Sequence, residues 1–136
     1  MNFEVLEHTA DIGFRAWGAT FEEVLATASQ ALVAIILEIE SVKDAEPYPV
    51  AAKGEDRESL LVNWLNEVLY YVDGQHVAFR RFDVKACGEW HASGVGWGEP
   101  RTAAHPAKLI VKGVTYHQLS VVTNEKGWEC TVFLDI

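Results

Sequence analysis

The sequence contains few cysteines, and the two that it has form no motif. Cys87 and Cys130 lie 43 positions apart, and neither belongs to a CxxC pair. This spacing excludes a cysteine-based zinc site and the disulfide framework typical of small secreted domains. We therefore predict two reduced thiols.

The sequence also has few basic residues and no long apolar run. Eleven Lys and Arg stand against 20 Asp and Glu, and the formal net charge is -9. Such a surface repels a phosphate backbone, so direct binding of nucleic acid is disfavoured. The longest apolar run, Ala31 to Leu37, has seven residues, whereas a membrane-spanning helix needs roughly 20. Because the acidic amino terminus also lacks the features of a signal peptide, we predict a cytoplasmic protein without a membrane segment.

The acidic residues are concentrated in the first half of the chain. Residues 1–60 carry a net charge of -8, and residues 61–136 carry -1. An acidic region of this kind is either a solvated face that aids solubility or a docking surface for a basic partner or a cation. Charge alone favours the solvated face.

Familiar catalytic and nucleotide-binding motifs are missing. The glycine cluster GVGWG, Gly94 to Gly98, lacks the strand and helix around it, and the GKS or GKT ending, that a phosphate-binding loop has. None of the five histidines has the spacing of an HExxH zinc site, and no serine has the glycine frame of a nucleophile elbow. We expect no tight binding of GTP or RNA by the protein alone.

The length of 136 residues suits one domain, residues 1–136. Capping residues and apolar periodicity predict two amphipathic helices, from Thr20 to Leu37 and from Asp56 to Gly74. The glycine-rich segment from Gly88 to Pro106 is typical of a loop. The predicted strands are Phe3 to Leu6, Ile12 to Trp17, Glu46 to Ala52 (a sheet edge or a linker), Ala78 to Ala86, Leu109 to Tyr116, Gln118 to Val122 and Trp128 to Leu134. The predicted fold is α+β, with both helices packed on a mostly antiparallel or mixed β-sheet.

Two carboxylates interrupt apolar surroundings near opposite ends of the sequence. Asp11 lies in the polar segment HTADIG between two strands, and Asp135 follows the apolar run TVFL. The last residue, Ile136, places a main-chain carboxylate next to Asp135. If the strands that carry the two aspartates end side by side, these oxygen ligands suit a hard divalent cation such as calcium, magnesium or manganese. The alternative is a turn residue at Asp11 and a solvated chain end.

Four segments of the sequence resemble the archease family. They are HTADIGFRAWG (8–18), LLVNWLNEVLY (60–70), KGVTYHQL (112–119) and GWECTVFLDI (127–136). The combination of HTAD, TYH and a final DI is specific, whereas each motif alone is weak. Gly113 occupies a position where the family more often has alanine, and FLD replaces a frequent FD. Both departures leave the proposed ligands intact.

The resemblance implies an accessory protein of tRNA splicing. Proteins of the archease family activate an RtcB-type RNA ligase, which joins RNA 3'-phosphate or 2',3'-cyclic phosphate ends to 5'-hydroxyl ends. They promote guanylylation of the ligase by GTP and its multiple turnover. Carried over to this sequence, the family's metal ligands are Asp11, Asp135 and Ile136, with calcium as the ion expected in a structure and magnesium or manganese as alternatives. The expected partner is then the ligase, and the protein contacts RNA only indirectly, through the ligase.

Two other functions are compatible with these residues. A small metal-dependent phosphoester hydrolase or phosphotransferase could use Asp11 and Asp135, with His8 or His117 as general base. A general adaptor or chaperone would need neither aspartate. His8 and His117 are therefore possible secondary site residues, although a histidine between strands is more often a hydrogen-bonded structural residue.

Overall fold

The computed structural model describes residues 2–7 and 11–136, which form seven strands and two α-helices. The elements are β1 Phe3–Glu7, β2 Asp11–Gly18, α1 Phe21–Ile36, β3 Glu46–Lys53, α2 Arg57–Leu69, β4 Val77–Cys87, β5 His91–Pro100, β6 Gly113–Asn124 and β7 Gly127–Asp135. A short 3-10 helix, Ile39–Ser41, follows α1. A π-helical turn, Tyr70–Gly74, continues α2 to the glycine at which the sequence predicts the helix to end.

The described strands form two sheets rather than one. The strand order is β1-β2-β7-β6 in the four-stranded sheet and β3-β5-β4 in the three-stranded sheet. All of the pairs between these strands are antiparallel. β3 carries Pro47 and Pro49 and lies at a sheet edge, because proline cannot donate a hydrogen bond to a neighbouring strand. The predicted α+β class and the mostly antiparallel pairing are confirmed.

The two helices lie between the sheets. α1 contacts β2 of the larger sheet and β4 of the smaller one, and α2 contacts β6 and β3. Each helix begins at its predicted cap: Oγ1 of Thr20 accepts from the N–H of Glu23 (3.2 Å), and Oδ1 of Asp56 accepts from the N–H of Ser59 (2.7 Å). In the described part of the chain, neither helix has the length and hydropathy needed to cross a membrane.

A buried hydrogen bond joins the two helices inside the core. Trp64 of α2 and Ser29 of α1 are both fully buried. Nε1 of Trp64 donates to Oγ of Ser29 (2.8 Å), and that hydroxyl donates in turn to the main-chain oxygen of Leu25 (2.7 Å). The indole N–H has no access to water, so Ser29 supplies the acceptor that a buried donor requires.

We expect Ser29→Ala to lower the free energy of unfolding by about 1–3 kcal/mol, because it leaves the buried N–H of Trp64 without an acceptor. Thr27→Ala is the matched control, since Oγ1 of Thr27 donates to the main-chain oxygen of Glu23 (2.7 Å) and supports no buried donor. The control should change the same free energy by less than about 0.5 kcal/mol. Urea denaturation measures both variants, and equal losses would contradict the role given to Ser29.

The prediction of a loop from Gly88 to Pro106 is wrong for most of that segment. Residues 91–100 form β5, the central strand of the three-stranded sheet. Its glycines permit close packing: a Cβ at Gly94 would overlap the main-chain oxygen of Asp83, and a Cβ at Gly98 would overlap that of Ala78. Glycine in a strand allows such an approach of the neighbouring backbone, and a count of glycines cannot distinguish this use from a loop.

The two strands predicted between residues 109 and 122 form one irregular strand. β6 begins at Gly113, and its pairing with β7 is interrupted between Thr115 and Ser120. Gln118 has a φ of +52°, in the left-handed region that breaks regular strand geometry. Residues 107–112, which precede β6, contain no regular strand. In space this segment passes from the end of α1 to the end of the larger sheet.

His105 is a buried histidine that holds the segment after β5. Its Nδ1 accepts from the N–H of Thr102 (3.0 Å), and its Nε2 lies 2.8 Å from Oε2 of Glu99. The bond from Thr102 leaves the imidazole proton on Nε2, which donates to the carboxylate. The N–H of Lys43 donates to the same oxygen (3.0 Å), and this bond, followed by that from His105, lowers the pKa of Glu99.

The lowered pKa of Glu99 predicts a contribution to acid unfolding. Because the folded-state pKa lies below the ordinary value of 4.5, the carboxylate stabilises the fold above that pH, and this stabilisation is lost as the pH falls through the folded-state pKa. We expect Glu99→Gln to flatten the decline in melting temperature between about pH 6 and pH 3. Glu125→Gln, at an exposed turn residue, is the control and should follow the wild type. If the melting temperatures of the wild type and of Glu99→Gln decline in parallel as the pH falls, Glu99 does not contribute to acid unfolding.

Candidate metal centre

Asp11 and Asp135 lie opposite each other on neighbouring antiparallel strands. Asp11 begins β2, Asp135 ends β7, and the two are register partners at one end of the four-stranded sheet. Directly opposed residues of an antiparallel pair have side chains on the same face. Asp135 is also the register partner of Gly113 in β6. The two aspartates are termed the aspartate pair below.

The aspartate pair lies on the face of the sheet that points away from the helices. Alternate residues of β7, Cys130, Val132 and Leu134, are fully buried, and Asp135 has the opposite orientation. On the same face as Asp135, the ring of Phe133 lies so close to Gly13 of β2 that a Cβ there would collide with it. The bare glycine therefore lets an aromatic ring cover the sheet next to the pair.

One oxygen of the pair has no hydrogen-bond partner among residues 2–7 and 11–136. Oδ1 of Asp11 is buried and forms no hydrogen bond with a described residue. A buried carboxylate oxygen without a donor is costly, and a second carboxylate directly opposite adds like-charge repulsion. A cation would satisfy this oxygen and offset both charges, and carboxylate oxygens are preferred ligands of calcium, magnesium and manganese. The donor set therefore fits a hard divalent cation.

The end of β7 is tied to the segment that precedes β6. The main-chain oxygen of Asp135 accepts from the N–H of Lys112 (2.7 Å), while the Asp135 side chain and Ile136 are exposed. Across residues 2–7 and 11–136, no group of three or more His, Cys, Asp or Glu side chains is arranged to hold a metal ion. A site here would combine two side-chain carboxylates with a main-chain oxygen, such as that of Ile136, and water. The metal assignment stays a prediction.

Of the two secondary histidines, the structure describes His117. His8 lies outside the residues that the structure describes. His117 is exposed on β6, its N–H donates to Oγ1 of Thr115 (3.2 Å), and its ring meets that of Phe133 with centroids 6.2 Å apart. Within the described structure, no hydrogen bond or ion pair links His117 to either aspartate. Its observed role is packing on the aromatic ring beside the pair.

Acidic residues before β3 are neutralised by arginines of β4, in contrast to the aspartate pair. Arg80 bonds to Glu40 (2.8 Å) and Arg81 to Asp44 (3.0 Å), and the bond from Arg81 holds the pKa of Asp44 below its ordinary value. No lysine or arginine among the described residues forms an ion pair with the aspartate pair. Its negative charge is therefore available to a cation or a basic partner.

Neither cysteine offers a reactive thiol. Both are free, burial raises the pKa of Cys130 to about 12, and burial with the nearby Glu22 carboxylate raises the pKa of Cys87. Thiols with raised pKa values stay protonated near neutral pH and are poor nucleophiles. Nucleophilic chemistry at either cysteine is therefore disfavoured.

Sequence reasoning missed an apolar groove that reaches Ile136, the residue after Asp135. The groove runs between β1 and α1, passes Leu109 and reaches the end of the larger sheet. Its lining includes Val5, Ile12, Ile35, Leu109, Ile110 and Ile136. The sequence signal for this groove is the apolar triplet at residues 109–111. The hydrophobic pattern assigns that triplet to a predicted strand. This surface is termed the apolar groove below.

Comparison with known proteins identifies the family of this chain. The model of the Archease protein family matches residues 3–136. Protein archease of Methanosarcina mazei is 38% identical over 139 residues, which cover 98% of this chain and 95% of the relative. Protein archease of Methanopyrus kandleri is 34% identical over 140 residues, which cover 100% of both chains. The solution structure of Methanobacterium thermoautotrophicum protein 1598 is similar with a TM-score of 0.86 and 33% identity over 99% of each chain. The chain therefore belongs to the archease family.

Proposed function

We propose that the protein activates an RtcB-type RNA ligase in tRNA splicing, by promoting guanylylation of the ligase by GTP and its multiple turnover. Membership of the archease family supports this role. The observation that carries the proposal is the aspartate pair, two facing carboxylates of which one has a buried oxygen that no described residue hydrogen-bonds. In this role the protein is an accessory factor and the ligase is the catalyst.

A divalent cation, in this proposal, is held by Asp11, Asp135 and a main-chain oxygen of Ile136. Calcium, magnesium and manganese all suit such oxygen ligands. When bound, the ion supplies positive charge that offsets the facing carboxylates. The fold brings the two side-chain ligands together without the ion, because the register of β2 and β7 fixes the two aspartates opposite each other. Gly113, beside Asp135 on β6, leaves open space on that side.

The charge of the protein supports contact with a basic partner rather than with RNA. The net charge is -9, and the aspartate pair has no cationic partner in the described structure. An RNA ligase that binds phosphates needs a positively charged pocket, to which an acidic surface is complementary. The proposed contact is therefore between the end of the larger sheet, which carries the aspartate pair, and the mouth of that pocket.

A ligation assay with the cognate ligase tests the proposed function. Ligase, GTP and RNA with 2',3'-cyclic phosphate and 5'-hydroxyl ends are incubated with and without this protein. We expect it to increase the guanylylated ligase and to allow several turnovers per ligase. The protein alone, supplied with manganese or magnesium and a phosphoester substrate, should show no turnover. Turnover by the protein alone would favour the hydrolase, and unchanged ligation would contradict activation.

A further inference from the structure

The apolar groove is an extended surface that begins at β1 and reaches Ile136, the residue after Asp135. It consists of two adjoining cavities of about 540 and 480 Å³, which share Lys108 and Leu109. Ile110 is 72% exposed and Val5 is 43% exposed, so large apolar side chains face solvent at both ends of the groove. Contiguous exposed apolar surface on a soluble domain marks an interaction site.

β1 presents a free edge along the apolar groove. Among the described strands β1 pairs with β2 alone, and the segment Phe3–Glu7 contains no proline, lysine, arginine or bulge. Its charged residues are Glu4 and Glu7, so this edge is protected against an acidic strand but open to one that carries Lys or Arg. The other sheet edges are protected: β3 has its prolines, β4 has Arg80, Arg81 and Lys85, and β6 is interrupted. An unprotected edge accepts an added strand through main-chain hydrogen bonds. An extended segment is therefore the conformation that this surface fits.

Charge selects among the segments that could bind there. Lys108, the cation in the lining, donates to the main-chain oxygen of Ala34 (3.0 Å) and lies 3.9 Å from Glu38, so its charge is already engaged. The groove ends at Ile136, the residue after Asp135, and the chain as a whole carries a net charge of -9. A second copy of the chain would bring another net charge of -9 and is disfavoured by repulsion. The complementary occupant carries Lys or Arg beside its apolar side chains.

We propose that the apolar groove binds an extended segment of the partner ligase, apolar with flanking Lys or Arg, which adds to the edge of β1. This inference rests on the proposed function and gives the ligase a second contact beside the aspartate pair. Alternate side chains of the segment enter the groove, and main-chain hydrogen bonds to β1 set its direction. The groove provides affinity, while the aspartate pair provides activation.

Binding to the complete ligase tests the groove. Val5→Ser and Ile110→Ser each remove an exposed apolar side chain of the groove, and Val122→Ser removes a 47% exposed valine of β6 as the matched control. We expect the Kd for the ligase to rise about tenfold for each groove variant and to stay unchanged for Val122→Ser. At saturating concentration both groove variants should stimulate ligation to the wild-type level. Melting temperatures check that all three variants are folded.

Several outcomes would overturn this inference. One is an unchanged Kd for both groove variants, and another is an equal rise for Val122→Ser. A wild-type dimer that Val5→Ser converts to a monomer in sedimentation would assign the groove to a second copy instead. Failure of the wild-type protein to stimulate the ligase would refute the proposed function. Normal stimulation combined with an unchanged Kd for both groove variants would refute the groove alone.

Discussion

Asp11→Ala and Asp135→Ala should each abolish stimulation of the ligase while leaving the fold intact. Each variant removes one carboxylate of the candidate metal centre, and neither breaks a side-chain hydrogen bond or ion pair with a described residue. Directly opposed like charges destabilise a sheet, so removal of one charge is neutral or slightly stabilising without a metal. Ligation at saturating protein and thermal unfolding measure the two effects.

Two controls separate the loss of a cation from other causes. Asp135→Asn keeps the shape of the side chain and removes its charge, and Asp73→Ala removes an exposed aspartate in the π-helical turn. Calcium or manganese should raise the melting temperature of the wild type and of Asp73→Ala but not of the pair variants, because a bound ligand stabilises the folded state. Normal stimulation by both alanine variants would show that the aspartate pair is not the functional site.

Gly98→Ala should lower the free energy of unfolding by about 3 kcal/mol or more, whereas Gly113→Ala should be neutral or raise it by about 0.5 kcal/mol. A Cβ at position 98 overlaps the main-chain oxygen of Ala78, and only a shift of the backbone of β4 or β5 can relieve that overlap. A Cβ at position 113 has nothing within 4 Å. Urea denaturation of both variants measures the difference.

The two glycine variants control for each other, because the chemical change is identical and both positions lie in strands without a positive φ. Wild-type stability for Gly98→Ala would contradict the close packing of β4 and β5. A large loss for Gly113→Ala would mean that the space beside Asp135 is not open. We also expect Gly113→Ala to stimulate the ligase normally, since it adds only a methyl group in open space.

Signals that act over a few residues were sufficient to predict the helices. Thr20 and Asp56 cap α1 and α2 as expected, and the apolar periodicity indicates which faces are buried. The separation of the strands into two sheets depends on contacts between residues far apart in the sequence, so no local pattern contains it. The placement of the helices between two sheets follows from that separation and was equally out of reach.

Local sequence patterns also fail to predict the candidate metal centre and the glycine-rich strand, because both depend on contacts between distant parts of the chain. Motifs indicate Asp11 and Asp135 separately, but their opposition depends on the register of β2 and β7. In β5, the glycines look like a loop because the reason for Gly94 and Gly98 lies in the backbone of β4, and the reason for Gly96 lies in the rings of Phe79 and Phe82. The apolar groove escaped notice because its lining comes from five separate parts of the chain, and only the fold brings them together.

The position of β7 in the larger sheet has a consequence for biosynthesis. β7 lies between β2 and β6, so a strand made early in translation pairs with the last strand of the sheet to be made. At roughly 5–20 residues per second, the hairpin of β1 and β2 waits on the order of ten seconds for this partner. Pairing over such sequence distance is also intrinsically slow. The candidate metal centre therefore forms only after residues up to Asp135 have been made and have left the ribosome to pair with β2.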